Sequence, residues 1–212
     1  MALAGAMHPA RKVLSPAFQA GWREPILAPA VEAWRMEERM TAKRLVGTYD
    51  KDGGGGLTPL QQSASGWTKG EPLPEIRNAS WGVRSRQREL WYFVDEQNGR
   101  VNAHAAGDFQ QLASVSSGGE AACHLALDPT EEHLAVANYE SGSVALFRLD
   151  PEGLPLDLPS IHQNKGSGPN RERQEGPHAH WVGFTQNGKR LYSVDLGADR
   201  IFAFSVGTGS GL

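Results

Sequence analysis

The sequence predicts an all-β chain organised as a β-propeller, and three observations carry that expectation. Three segments fit one pattern: Trp91-Tyr-Phe-Val-Asp95 with Gly99-Arg-Val101, Leu134-Ala-Val-Ala-Asn138 with Gly142-Ser-Val144, and Leu191-Tyr-Ser-Val-Asp195 with Asp199-Arg-Ile201. In each, an apolar strand closes on Asp or Asn, a polar turn follows, and a second apolar strand starts six residues after that Asp or Asn. The units lie 43 and 57 residues apart, the spacing of propeller blades, small antiparallel sheets that bury their faces only by stacking on neighbours. The 25 glycines and 13 prolines suit short strands joined by tight turns, and residues 43–212 show no sustained helical period.

The elements follow in order. Residues 1–23 carry Arg11, Lys12 and Arg23 without an acid, and prolines at 9 and 16 interrupt them. They lack the continuous apolar stretch of a secretory signal, and a transit peptide would be richer in serine. Residues 30–40 could form a short helix. We expect a flexible extension over 1–40 and a partial propeller over 41–212. The glycine run Gly53–Gly56 leads almost directly into Leu57-Thr-Pro-Leu60, which suggests a shortened first-blade strand. Upstream of the second and third repeats lie His124-Leu-Ala-Leu-Asp-Pro129 and His180-Trp-Val-Gly-Phe184, with turns at Asp128–Glu132 and Gln186-Asn-Gly-Lys189. Asn-Gly is a strong hairpin signal. Side-chain capping of turn amides accounts for the recurring Asp95, Asn138 and Asp195 without chemistry, and is the preferred reading for Asp95.

Composition removes several function classes. A formal charge of −3 gives no field for a nucleic-acid backbone. The single cysteine, Cys123, excludes an internal disulfide framework and a Cys-rich zinc site, and fits a reducing, cytoplasmic setting. No apolar run is long enough to span a bilayer.

One stretch stands apart: Gly166-Ser-Gly-Pro-Asn-Arg-Glu-Arg-Gln-Glu-Gly-Pro-His-Ala-His180. Its glycines and prolines forbid a helix and shape a loop, which carries Arg171, Arg173, Gln174, His178 and His180. A shaped loop on a rigid scaffold is a common place for binding groups, although a charged loop can also be simply solvated.

Cys123-His124-Leu-Ala-Leu-Asp-Pro129, Ala137-Asn-Tyr-Glu-Ser-Gly-Ser-Val144, the Gly166–His180 loop and Asp195-Leu-Gly-Ala-Asp-Arg200 resemble the propeller-type 6-phosphogluconolactonase family. Leu45-Val-Gly-Thr-Tyr49 resembles the strand with which such chains open. The resemblance runs from about 43 to 212 and is dense from 121 to 206. It implies a seven-bladed propeller that hydrolyses 6-phosphogluconolactone in the pentose phosphate pathway without a metal. Relatives in the superfamily open or close other lactone rings, including muconolactone-type rings. The sequence ends at Gly207-Thr-Gly-Ser-Gly-Leu212, where the family continues. About four blades are therefore expected: a fragment, a splice form, or half of a ring closed by self-association through the open edge.

Lactone hydrolysis needs a base for water and a donor for the oxyanion, and a phosphate calls for arginine's bidentate fork. The candidate catalytic residues are His124, His180 and Arg173. The candidate substrate contacts are Arg171, Gln174, His178, Asn138 and Asp195. His124 and His180 each open a strand near the central channel, and a buried structural imidazole is an equal reading for both. His178 and His180, two apart on a strand, could face one side, but no third metal ligand accompanies them and no cofactor is expected. His8, His104, His133 and His162 read as loop or surface residues. Cys123 is a weak nucleophile candidate. The expected partner is a small sugar-phosphate lactone, with a non-phosphorylated acid or a non-catalytic interaction surface as alternatives.

Overall fold

In a computed structural model, residues 43–207 are described; the expected extension over 1–40 lies outside them. Fourteen strands form four antiparallel sheets among these residues. Sheet 1 holds β1 (Lys43–Val46), β2 (Thr58–Ser63) and β3 (Gly66–Lys69). Sheet 2 holds β4 (Gly82–Arg84), β5 (Leu90–Asp95), β6 (Arg100–Ala105) and β7 (Gln111–Ser116). Sheet 3 holds β8 (Ala122–Leu127), β9 (His133–Asn138), β10 (Ser143–Arg148) and β11 (Ser160–Gln163). Sheet 4 holds β12 (Ala179–Phe184), β13 (Arg190–Asp195) and β14 (Arg200–Ser205). Every sheet is a sequential meander, the blade of a propeller. The only helix among the described residues is the 3-10 turn Asp50–Asp52.

The repeat maps onto equivalent hairpins. Asp95 pairs with Arg100, Asn138 with Ser143 and Asp195 with Arg200, each at the tip of the hairpin that joins the second and third strands. Strand alternation then sends successive residues to opposite faces, and stacking buries both faces. On β5, Tyr92 and Val94 join Val101, Leu125, Val136 and Phe147 in the core between sheets 2 and 3, while Phe93 packs with Leu57, Ile76 and Ala79 toward sheet 1. On β9 and β10, Ala137, Val144 and Leu146 meet Val182, Leu191 and Phe204 of sheet 4. Phe147 is fully buried, and its truncation to Ala would cost about 3–5 kcal/mol.

Two expectations are corrected here. The first-blade strand β2 is six residues long and not shortened. The place left unfilled is the innermost one: Thr48-Tyr49, just past β1, matches Asn138-Tyr139 at the end of β9, so β1 corresponds to the second strand of the other sheets. A groove of about 810 Å³ lined by Leu45, Gly47, Ala79, Gly82 and Phe93 opens there. The second correction concerns His104, which is fully buried edge-on to Phe93 with Nδ1 2.8 Å from the Phe109 carbonyl oxygen. It lies on β6, where alternation turns it inward, and burial pushes its pKa down.

Candidate functional site

The innermost strands of sheets 3 and 4 begin with the same irregularity. Register shifts between Ala122 and His124 on β8, and between Ala179 and Trp181 on β12. Such a bulge leaves one extra residue unpaired and re-aims it. His124 therefore pairs with Ala137, and Trp181 with Val194. In sheet 2, Trp81 holds the same place, its carbonyl accepting from Val94 N–H at 3.1 Å. The equivalent triads are thus Ala79-Ser80-Trp81, Ala122-Cys123-His124 and Ala179-His180-Trp181. The strand-start histidines are one step out of register: His124 matches Trp181, whereas His180 matches Cys123.

Three structural positions, repeated by blade, build one cleft of about 440 Å³. The bulge contributes Ser80, Cys123 and His180. The next residue contributes Trp81, His124 and Trp181. The residue after the hairpin Asp, Asn or Thr contributes Glu96, Tyr139 and Tyr49. Convergence of equivalent strand ends is what gives a propeller a binding site at one mouth of its channel.

Trp81, His124 and Trp181 form an aromatic ladder. Trp81 stacks on His124 with centroids 4.2 Å apart, and Trp181 leans over His124 at 5.6 Å. Trp81 Nε1 donates to the Leu125 carbonyl at 3.1 Å, and Val182 N–H donates to His124 Nδ1 at 3.4 Å. The latter contact leaves the ring proton on Nε2. Burial, then the nearby His180, pushes the His124 pKa down to about 4, so the imidazole is neutral at neutral pH.

Opposite the ladder, Tyr49 Oη donates to Glu96 Oε2 at 2.8 Å. Burial and this carboxylate raise the Tyr49 pKa. Tyr139 carries both loop histidines: His178 stacks on it at 4.6 Å and His180 meets it edge-on at 5.6 Å. His178 is already engaged, with Nδ1 3.1 Å from the Tyr139 carbonyl oxygen and Nε2 3.4 Å from Glu175 Oε1. It therefore orients Tyr139. Burial pushes the Cys123 thiol up to about 12, and its Sγ lies against the carbonyls of Ala137, Ala179 and His180, so it is no nucleophile.

The remaining expected site residues separate from this cleft. Arg171 and Gln174 line a different hollow within the loop, with Ser167, Gly168 and Glu175. Gln174 is spent on the loop itself: Nε2 donates to the Leu196 carbonyl at 2.8 Å and Oε1 accepts Asn170 N–H at 3.0 Å. Arg173 is exposed on the same loop. Asn138 and Asp195 are corrected to internal roles, being 0% and 2% exposed. Asn138 Nδ2 donates to the Ser117 carbonyl and to Ser143 Oγ, each at 3.2 Å. Asp195 accepts from His178 N–H, Ala198 N–H and Asn164 Nδ2 at 2.7–2.8 Å. Asp95 accepts from the side-chain amides Asn78 Nδ2 and Asn98 Nδ2, each at 2.8 Å, rather than from backbone amides of its turn, which corrects the capping reading for this residue. Among the described residues no cluster of three His, Cys, Asp or Glu side chains could hold a metal, and no helix is long and apolar enough to cross a membrane.

Tyr49, Glu96, Tyr139, Trp81 and Trp181 went unnoticed in the sequence as site residues. A signal existed for two of them, Glu96 and Tyr139, since each directly follows the recurring polar residue at the hairpin tip.

Comparison with known proteins agrees with this architecture. The profile of the family described as "Lactonase, 7-bladed beta-propeller" matches residues 43–212. A Bacillus subtilis protein named 6-phosphogluconolactonase is 27% identical over 172 residues, covering 77% of this chain and 49% of its own length. One of the same name from Formosa agariphila is 31% identical over 142 residues, covering 63% of this chain and 40% of its own length. The crystal structure of a putative 6-phosphogluconolactonase from Bacteroides fragilis superposes with a TM-score of 0.71 at 29% identity, covering 79% of this chain and 49% of that one. The chain spans about half the length of the curated relatives it matches.

Proposed function

The chain belongs to the seven-bladed β-propeller lactonase family, and from that premise we propose that its cleft serves hydrolysis of 6-phosphogluconolactone to 6-phosphogluconate, the pentose phosphate pathway reaction of the cytoplasm. The observation that carries this reading is the meeting of His124 and His180 in one aromatic cleft at the ends of equivalent strands. His180, exposed on its outer side, takes a proton from water as the oxygen attacks the ring carbonyl. The Nε2–H of neutral His124 donates to the developing oxyanion, a preorganised dipole in a low-dielectric wall. Collapse breaks the ring C–O bond, and the alkoxide takes the proton back from His180, leaving the open hydroxy acid. Arg173 and Arg171, on the loop that leads into β12, attract the phosphate.

A second reading, a non-phosphorylated lactone, is favoured by one specific observation: Arg171 lines a hollow separate from the histidine cleft. The two separate in one assay, hydrolysis of freshly generated 6-phosphoglucono-δ-lactone against glucono-δ-lactone at matched concentrations. Preference for the phosphorylated ring by tenfold or more in kcat/KM supports the first. Equal rates support the second, and no hydrolysis of either above the spontaneous rate refutes both.

A further inference from the structure

Glu96 has no part in the chemistry above, yet it is the one carboxylate among the residues lining the histidine cleft. Its position is built rather than incidental. Its backbone N–H donates to the Asn78 carbonyl at 3.2 Å, its carbonyl accepts Gly99 N–H at 3.4 Å, and the Tyr49 hydroxyl holds Oε2 at 2.8 Å. Its other oxygen, Oε1, has no protein donor among the described residues. A half-buried carboxylate with one oxygen fixed and one free is an acceptor awaiting a donor. The same cleft is lined by Trp81 and Trp181, 44% and 42% exposed, with His124 between them. No lysine or arginine is among the described residues lining the cleft; Lys51, over the Tyr49 ring at 5.1 Å, lines an adjoining hollow instead, so a phosphoryl group beside Glu96 would meet like charge within the cleft.

Aromatic faces suit the C–H face of a saturated ring, and a charged acceptor suits its hydroxyls; a pocket that is mostly apolar with few placed polar groups gains its specificity from those groups. We infer that this cleft recognises a polyhydroxylated six-membered ring, stacked on the Trp81–His124–Trp181 ladder, with Glu96 accepting hydrogen bonds from ring hydroxyls and Tyr49 holding the carboxylate in place. The inference rests on the lactonase reading for its choice of cleft. It makes Glu96 the residue that selects a sugar-like ring over an unsubstituted one, with any anionic end of the ligand directed away from this wall.

The test uses binding alone, with probes that cannot be hydrolysed. The purified full chain is titrated with 1,5-anhydro-D-glucitol and with tetrahydropyran, which shares the ring and lacks the hydroxyls, by ligand-observed NMR and tryptophan fluorescence. The expected result is saturable binding of the polyol and none of tetrahydropyran. Glu96→Gln should weaken polyol binding about tenfold, as for loss of one charge-assisted acceptor. Tyr49→Phe, which keeps the ring packing, should weaken it several-fold. Indistinguishable binding of the two rings, absence of polyol binding, or wild-type affinity in both variants overturns the inference. Since neither probe has a carbonyl, a chain that binds the polyol but opens no lactone leaves this inference standing and removes the catalytic reading.

Discussion

The indole of Trp81 lies 4.2 Å from the imidazole of His124 at an interplanar angle of 29°, one blade's residue stacked on its structural equivalent in the next. That stack, with Trp181 on the far side, is why His124 is held neutral. Its pKa falls from 6.5 to about 4 on folding, so between these values the unfolded chain binds a proton that the folded chain refuses. Stability therefore drops as pH falls from about 6.5 to about 4, by roughly 2–3 kcal/mol, and levels off below. His104, buried with its pKa also lowered, acts in the same direction. His124→Asn keeps an acceptor for Val182 N–H and should lose distinctly less stability between pH 7 and pH 4.5 in urea titrations. Parallel losses in the two proteins would show that the imidazole is not buried in its neutral form.

The repeat made the scaffold legible. Asp95, Asn138 and Asp195 were readable as equivalent because hairpin tips demand polar capping groups, and the strands around them alternate as both faces require. The site was harder to see for a physical reason. The bulge is common to β8 and β12 and introduces no offset between them. Counted back from Asn138 and Asp195, His124 matches Trp181 and His180 matches Cys123, and only the shared imidazole favours pairing the two histidines. Glu96 was hidden behind Asp95, whose place at the hairpin tip reads as turn formation, and Tyr49 behind its place in an opening strand outside the repeat, while both side chains line the cleft. The burial of His104 was hidden by its polarity, although its place between Ala103 and Ala105 on a strand was visible.

The loop before β12 is clamped by two hairpin turns. A Cβ at Gly197 would lie 1.8 Å from the Gly176 carbonyl oxygen and 2.6 Å from His178 Cδ2, a clash that only backbone movement relieves. Gly197→Ala should displace the loop and unseat His178 from Tyr139, cutting lactone turnover at least tenfold while the sheets persist. Circular dichroism beside a hydrolysis assay checks this. Unchanged turnover would mean that the loop position is irrelevant to the reaction.

Arg173 is the loop cation assigned to the phosphate, whereas Arg200 sits in the β13–β14 hairpin beside Asp199. Arg173→Ala should weaken binding of 6-phosphogluconate by about 30-fold, as expected for loss of a charge-assisted contact worth about 2 kcal/mol. Arg200→Ala should change it less than threefold. Calorimetric titration of both variants decides, and equal effects would remove the loop from the phosphate site.

Glu131 ties sheet 3 to sheet 2. It is 4% exposed and accepts from Ser85 Oγ at 2.5 Å and Arg86 N–H at 2.7 Å, with Arg88 Nη1 at 3.7 Å. Glu131→Ala leaves a buried hydroxyl and amide unpaired beside an arginine, and should cost about 2–4 kcal/mol. The drop should appear as a lower urea midpoint without a change in slope.

The last prediction concerns the face of sheet 4 that no described sheet covers. Strand alternation divides its side chains. Leu191 and Phe204 turn toward sheet 3 and are buried, whereas Val194 and Ile201, cross-strand neighbours, are 40% and 69% exposed, with Trp181 beside Val194. Phe204 therefore belongs to the core, with Phe202 packed against the same cluster, and Val194 and Ile201 mark the open face. Each such side chain leaves on the order of 1.5–3 kcal/mol of burial unrealised, and contiguous apolar faces of this kind drive association. The chain on its own should self-associate in light scattering, with the mean mass rising with concentration. Ile201→Lys and Val194→Lys together should suppress that rise and leave the melting temperature within about 2 °C, since neither side chain packs in the core. A concentration-independent monomer in the unsubstituted chain would show that this face is covered, and a large fall in melting temperature in the double variant would show by what: the chain's own residues.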